Sequence, residues 1–200
     1  MTTPEKYPPA VITTDQTPEE EVSPCIHPNL PAVGVRNIAI CKEYMAIAYS
    51  PSENKGGDSV RHLCRDDSWF WAPATFPGCE TPMDYAQSHS VVMESVADLH
   101  IIRFDQVFAK NGHVLLRYTA EGSHCGKPYR GIPASGRHAQ WSAAAIFEVE
   151  DGKIKSFTKD WDQKTMQIQL GWAPVKESSD PRWNADALAN PEMSRKQKEE

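Results

Sequence analysis

The sequence predicts an α+β domain with helices against one face of a bent antiparallel sheet. Two observations carry this. The first half of the chain holds segments whose apolar residues recur at three- and four-residue spacing. The second half holds segments of two-residue alternation joined by Asn111-Gly112 and Asp151-Gly152, the residue pairs that tight hairpins favour. Helices first and hairpin-linked strands afterwards give separate helical and sheet layers, not a parallel βαβ sheet.

Taken in order, residues 1–33 are rich in Pro, Thr and Glu, show no sustained period and read as a flexible arm. Residues 36–50 place Ile38, Cys41, Met45 and Ala48 on one stripe, with Ile40, Tyr44 and Ile47 beside it, as an amphipathic helix does; Pro51 and the Gly56-Gly57 turn close it. The aromatic run at 67–76, interrupted by Pro73, suits a short or edge strand. Thr81 is a helix cap with Pro82 at the first helical position, and the periodic segment behind it runs to residue 99. Strands follow at 99–108 and 113–124, the second with Val114, Leu116, Tyr118 and Ala120 on one face. After a loop at 126–136, the strand at 137–150 puts Ala139, Trp141, Ala143, Ala145, Phe147 and Val149 on one face. A last strand at 153–162 leads into a short helical stretch at 163–172, and beyond Pro174 the chain turns polar. The expected domain is therefore 34–174, with a polar tail at 175–200.

Composition narrows the function. The 200 residues are 40% hydrophobic and 24% charged, with a net charge of -6. Lys and Arg are nowhere clustered, which argues against nucleic acid and against an anionic membrane surface as partners. No apolar run approaches the roughly 20 residues of a membrane-spanning helix. The N-terminus lacks the basic start and apolar stretch of a secretory signal. Cys25, Cys41, Cys64, Cys79 and Cys125 are odd in number and widely spaced, so they read as reduced thiols of a cytoplasmic protein. With no C-x-x-C pair, and only His62, Cys64 and Asp66 scattered together, no metal is expected. The loop with Gly131, Pro133 and Gly136 lacks phosphate-cradling spacing, so no nucleotide and no other cofactor is expected.

The segment GSHCGKPYRGIPASGRHAQWSAAAIFEVEDGKI, followed by KDWDQKTMQIQLGW, resembles the SnoaL-like polyketide cyclases of the nuclear transport factor 2-like superfamily. The shared elements are a Gly-x-His-x-Gly turn, a Gly-Ile-Pro-x-x-Gly-Arg loop, an aromatic strand ending in Asp-Gly-Lys-Ile, and a Trp-Asp … Gln-Leu-Gly close. The resemblance spans about residues 36 to 172 and is strongest after Gly112. It implies a cone, a strongly curved antiparallel sheet wrapped around helices, with a deep pocket inside. It also implies a homodimer and a cyclase, isomerase or lyase of secondary metabolism acting on a hydrophobic small molecule of polyketide or terpenoid type. A non-catalytic binding or dimerisation module on the same fold is the alternative, because a fold does not fix a function.

Aldol-type ring closure needs a base beside a carbonyl and a donor for the oxygen that becomes negative. The resemblance places an acid/base aspartate on the last strand. The local Lys-Asp-Trp word puts it at Asp160; Asp162 matches the Trp-Asp word and is second. Ungapped counting from Asp-Gly-Lys-Ile to Gln-Leu-Gly lands instead on Lys159, a departure from the family pattern unless a bulge shifts the register. The other reading of both aspartates is that they pair with Lys159, Arg137 or strand-end amides. His124, in the Gly-x-His turn, is the expected assisting donor or proton relay, against a hydrogen-bonded histidine at a sheet edge. Trp71, Tyr85, His89, Tyr118, Trp141 and Trp161 are the expected substrate-binding residues, against simple core filling. An epoxide hydrolase, a third possibility, needs an Asp-Arg-Asp type water site, which Arg137 near the aspartates would support.

Overall fold

The computed structural model describes residues 31–174, so the expected tail and all but the last residues of the expected arm lie outside the described residues. Helix α1 (Ala32–Ala48) buries Ile38, Cys41, Tyr44, Met45 and Ala48, the stripe that the spacing predicts. Asn54 ties its end to the next helix by donating to the Ala48 and Ala86 carbonyls at 3.1 and 2.9 Å. A short 3-10 stretch (Gly57–Leu63) leads into strand β1 (Cys64–Trp71). Helix α2 (Pro82–Met93) starts on a capping box in which Thr81 and Asp84 satisfy each other's backbone amides. It ends earlier than its periodicity predicts, because the chain turns at Glu94–Val96 to meet the loop around Gly126. Strands β2 (His100–Lys110), β3 (His113–Ser123), β4 (His138–Glu150) and β5 (Lys153–Trp161) follow, and α3 (Gln163–Gln169) closes the domain.

The sheet order is β1-β5-β4-β3-β2. Both hairpins turn on the expected residues: Asn111 and Gly112 have φ of 51° and 80°, Asp151 and Gly152 of 52° and 73°. Positive φ at both central positions is the turn geometry that matches strand twist. One pairing departs from the consecutive antiparallel reading. β1 runs parallel to β5, so the sheet is mixed. The intervening helix, hairpins and strands supply the long crossover that a parallel neighbour needs.

Bulges bend the sheet in three strands, and the one in β5 decides what the cone contains. Val149 opposes Ile154 and Glu148 opposes Ser156, which leaves Lys155 as the extra residue. Before the bulge, inward positions are even-numbered (Ile154); after it they are odd-numbered (Phe157, Lys159). The concave face thus carries Phe157 and Lys159 from β5, the six alternating residues of β4, and Val114, Leu116, Tyr118 and Ala120 from β3. Helices α1 and α2 pack into it through Tyr44 and Tyr85, and Tyr44 donates to the Pro82 carbonyl at 2.6 Å, locking the two helices together.

Candidate active site

The centre of the cone is a lysine. Lys159 is 4% exposed, and its Nζ donates to the Tyr49 and Tyr85 hydroxyls, each at 2.7 Å. The Tyr85 hydroxyl donates to the Tyr49 oxygen at 3.3 Å, and Tyr49 and Tyr118 share a hydrogen bond of 2.9 Å. Tyr49 sits at the end of α1, Tyr85 on α2, Tyr118 on β3 and the lysine on β5, so four elements converge on one amine. Two further rings flank Nζ, Trp161 at 4.8 Å and Phe76 at 5.1 Å from their centroids, while Tyr49 and Tyr85 meet it with their hydroxyl edges.

Burial dominates the electrostatics. It holds the Lys159 amine well below its ordinary pKa, and no carboxylate among the described residues offsets it. It also pushes the Tyr49 phenol up to about 12, and Tyr85 and Tyr118 well above their ordinary value, so the hydroxyls stay protonated. His89 packs on the Tyr49 and Tyr85 rings at 4.4 and 4.5 Å. Burial first, and then repulsion from Lys159 whenever it is protonated, hold its imidazole well below its ordinary pKa.

This cluster forms the inner end of a cavity of about 550 Å³. Tyr49, Phe76, His89, Trp141, Lys159 and Trp161 line its depth. Its mouth is polar: Lys127 and Glu94 pair there at 3.1 Å, and Arg130, Gln163 and Gln167 stand beside them. Tyr129 and Trp172, also at the cavity, stack at 3.7 Å. Among the described residues, three buried polar atoms on side chains of the lining lack a hydrogen-bond partner: His89 Nδ1, Trp141 Nε1 and Trp161 Nε1. Buried polar atoms are nearly always partnered, so three such atoms on side chains around one cavity set this region apart from the rest of the core. Among the described residues no three His, Cys, Asp or Glu side chains gather to hold a metal ion.

The expected residues divide sharply. Tyr85, His89, Tyr118, Trp141 and Trp161 come together here, Tyr85 and Tyr118 behind the wall and the other three on it. Asp160 does not. It follows the bulge outward, opposite Ala144, and is exposed in a shallow outer depression with Trp71. Asp162 caps α3, accepting from the Thr165 amide at 3.0 Å. The expectation that one of them faces the pocket is therefore corrected: one is reversed by the bulge, the other engaged by a helix end. His124 is fully buried, but its Nδ1 accepts from Trp172 Nε1 at 3.1 Å and its Nε2 lies 3.2 Å from the Lys127 carbonyl. Both nitrogens are committed, so His124 is a brace behind the cavity mouth. Trp71, 63% exposed at the sheet edge, is outside the cavity as well. Arg137 lies against Gly171, away from both aspartates, so an Asp-Arg-Asp water site is not assembled.

Tyr49, Phe76, Tyr129 and Trp172 belong to the site without having been singled out for it. The one signal for Lys159 was the ungapped count.

A family model described as SnoaL-like polyketide cyclase matches residues 53–170. The chain belongs to this family. Solved structures of SnoaL-like and neighbouring proteins share the fold at low identity. AclR from Streptomyces galilaeus, a candidate hydroxylase, is 16% identical with a TM-score of 0.59, covering 78% of this chain and 98% of its own. IdmH from Streptomyces antibioticus, a candidate polyketide cyclase, is 21% identical with a TM-score of 0.54, covering 65% and 97%. TsrD from Streptomyces laurentii is 22% identical with a TM-score of 0.56, covering 72% and 99%. No curated protein matches the chain. In this SnoaL-like cone the position reached by the ungapped count is occupied by Lys159, on the inward face.

Proposed function

We propose that this chain is a small-molecule enzyme of secondary metabolism that moves protons inside an apolar cavity. It would cyclise, isomerise or dehydrate an oxygenated, ring-forming substrate with its own side chains and no cofactor. The observation that carries this reading is a lysine amine buried among phenol hydroxyls and ring faces at the end of a 550 Å³ cavity. That volume lies within the roughly 300–1,000 Å³ of small-molecule sites.

Proton loss beside a carbonyl needs a base that is neutral before it acts. Lys159 meets this need, because burial without a carboxylate partner favours the amine. Its two hydrogens go to Tyr49 and Tyr85, which leaves the lone pair for substrate. The oxygen that gains charge needs donors, and Trp141 and Trp161, which line the cavity and whose buried indole N–H groups have no partner among the described residues, are the candidates, reached by a small turn of either ring. Lys159 thus takes the place expected of an aspartate, and neither Asp160 nor Asp162 takes part.

The test needs no knowledge of the natural substrate. A bicyclic ketone, 2-tetralone, exchanges its α-hydrogens in D2O at a rate that NMR follows. The wild-type chain is expected to accelerate exchange, Lys159→Met to lose about 10²-fold or more of that acceleration, and Asp160→Asn to keep it. Exchange no faster than in buffer, with tetralone nonetheless bound, would favour the alternative of a non-catalytic ligand carrier. The homodimer belongs to the same proposal, with Ile146, 42% exposed on the outer sheet face, as its apolar support. A monomer by light scattering would remove it.

A further inference from the structure

We infer that Lys159 also acts as a nucleophile, its amine condensing with a ketone or aldehyde carbonyl held in the cavity to form an iminium. This rests on the acid/base reading above and deepens it. The substrate class becomes an enolisable carbonyl compound, and its activation becomes covalent.

Three observations point there. The first is placement. Lys159 lines the cavity and its Nζ is pinned between two phenol oxygens at 2.7 Å, so a normally mobile side chain holds one atom in a fixed place. The second is the missing counter-ion. Among the described residues the only carboxylate lining the cavity is Glu94, exposed at the mouth and paired with Lys127. A buried ammonium without an anion is costly, whereas a buried amine is a nucleophile. The third is a cage in which Trp161 and Phe76 stand at 4.8 and 5.1 Å from Nζ and Tyr49 and Tyr85 close it with their hydroxyl edges. Ring faces attract cations most when the cation has little hydration to lose. A substituted iminium has fewer N–H groups to solvate than an ammonium, so the cage favours the condensed form over the protonated free amine.

The step balances without a redox partner. The lone pair forms the C–N bond, and the carbonyl oxygen leaves as water with one hydrogen from the amine and one proton taken up from solvent. The iminium acidifies the neighbouring C–H. His89, which lines the same cavity and packs on the Tyr49 and Tyr85 rings, would accept that proton and give an enamine. Carbon–carbon closure onto a second carbonyl, followed by hydrolysis of the iminium, would release product and restore the amine.

The experiment treats the full wild-type chain at pH 7 with 2-naphthaldehyde and sodium cyanoborohydride. Hydride converts an iminium into a stable secondary amine, which peptide mass spectrometry assigns to individual lysines. Lys155 is the internal standard: Glu148 and Glu150 hold its pKa up, so its amine stays protonated. Labelling of Lys159 at least about tenfold faster than Lys155, suppressed by added 2-tetralone, is the expected result; tenfold corresponds to one unit of pKa difference. Equal or slower labelling of Lys159 overturns the inference. Formaldehyde in place of naphthaldehyde removes any demand for space, and a Lys159 that reacts with formaldehyde alone overturns the inference for ring-bearing substrates. The exchange assay keeps the two readings apart. An unlabelled Lys159 with α-exchange lost in Lys159→Met removes the covalent step and leaves the proton transfer. A labelled Lys159 without α-exchange does the reverse.

Discussion

Lys159 and Tyr49 are the residues on which the cavity's chemistry turns, and each has a substitution that isolates its part. Arginine keeps a cation at position 159 but cannot become a neutral base, so Lys159→Arg is expected to lose about 10²-fold or more in α-exchange. Tyr49→Phe removes one of the two lysine partners and the link to Tyr118, whose hydroxyl keeps its interaction with Tyr85. Urea unfolding should show a loss of about 0.5–1.5 kcal/mol, the range for a lost hydrogen bond. The pH profile follows from the neutral amine. Because its pKa is depressed by burial, activity should persist below the ordinary lysine pKa and fall as the pH drops through the depressed value. A rate that rose only near the ordinary lysine pKa would contradict this. Tyr49 was not legible in the sequence because it lies just past the apolar stripe of α1, and its role depends on partners 36, 69 and 110 residues away along the chain.

At the scale of the element, strand periodicity read correctly in β3 and β4 because those strands are regular: every inward residue predicted for β4 is buried. It failed in β5. Two residues of spacing put Asp160 and Asp162 on one face, but which face was hidden by one extra residue at Lys155. A signal was present. Ile154 and Phe157 are both apolar and have opposite parity, which an unbroken strand facing one core cannot accommodate. The Gly-x-His-x-Gly turn shows what the glycines contribute beyond a family word. A Cβ on Gly126 would meet the Glu94 carbonyl, and one on Gly122 would meet Val96, so both let the end of β3 lie against the turn after α2. That turn carries Glu94 of the cavity mouth. Gly126→Ala is therefore expected to cost about 1–3 kcal/mol, as overpacking does, and to weaken tetralone binding. Thr81→Ala, which removes only the cap of α2, should cost about 1 kcal/mol and leave binding unchanged. Fluorescence titration and thermal melts read both.

For the whole molecule, the site is a cost that the fold carries. The core that holds α1 and α2 against the sheet is apolar and aromatic, and at its centre stands an amine that would be protonated in the unfolded chain at neutral pH. Lys159 has a folded pKa below its ordinary value of 10.5, so between the two the unfolded state binds a proton that the native state does not. Stability from this group therefore rises with pH across that window and falls as the pH drops toward the folded value. His89 adds the same sign below its ordinary value of 6.5. Replacing the lysine with an apolar side chain of similar length removes the burden. Lys159→Met is thus expected to be more stable than the wild type at pH 7 by about 0.5–2 kcal/mol, the usual yield of a stabilising substitution, while losing activity. For a domain of this size that raises Tm by roughly 2–4 °C per kcal/mol. The difference in unfolding free energy between the two proteins should shrink as the pH is raised toward 10, because only the wild type gains. A Lys159→Met protein less stable than wild type at every pH would mean that the lysine holds the core together, and would weigh against a site maintained for chemistry at the expense of stability.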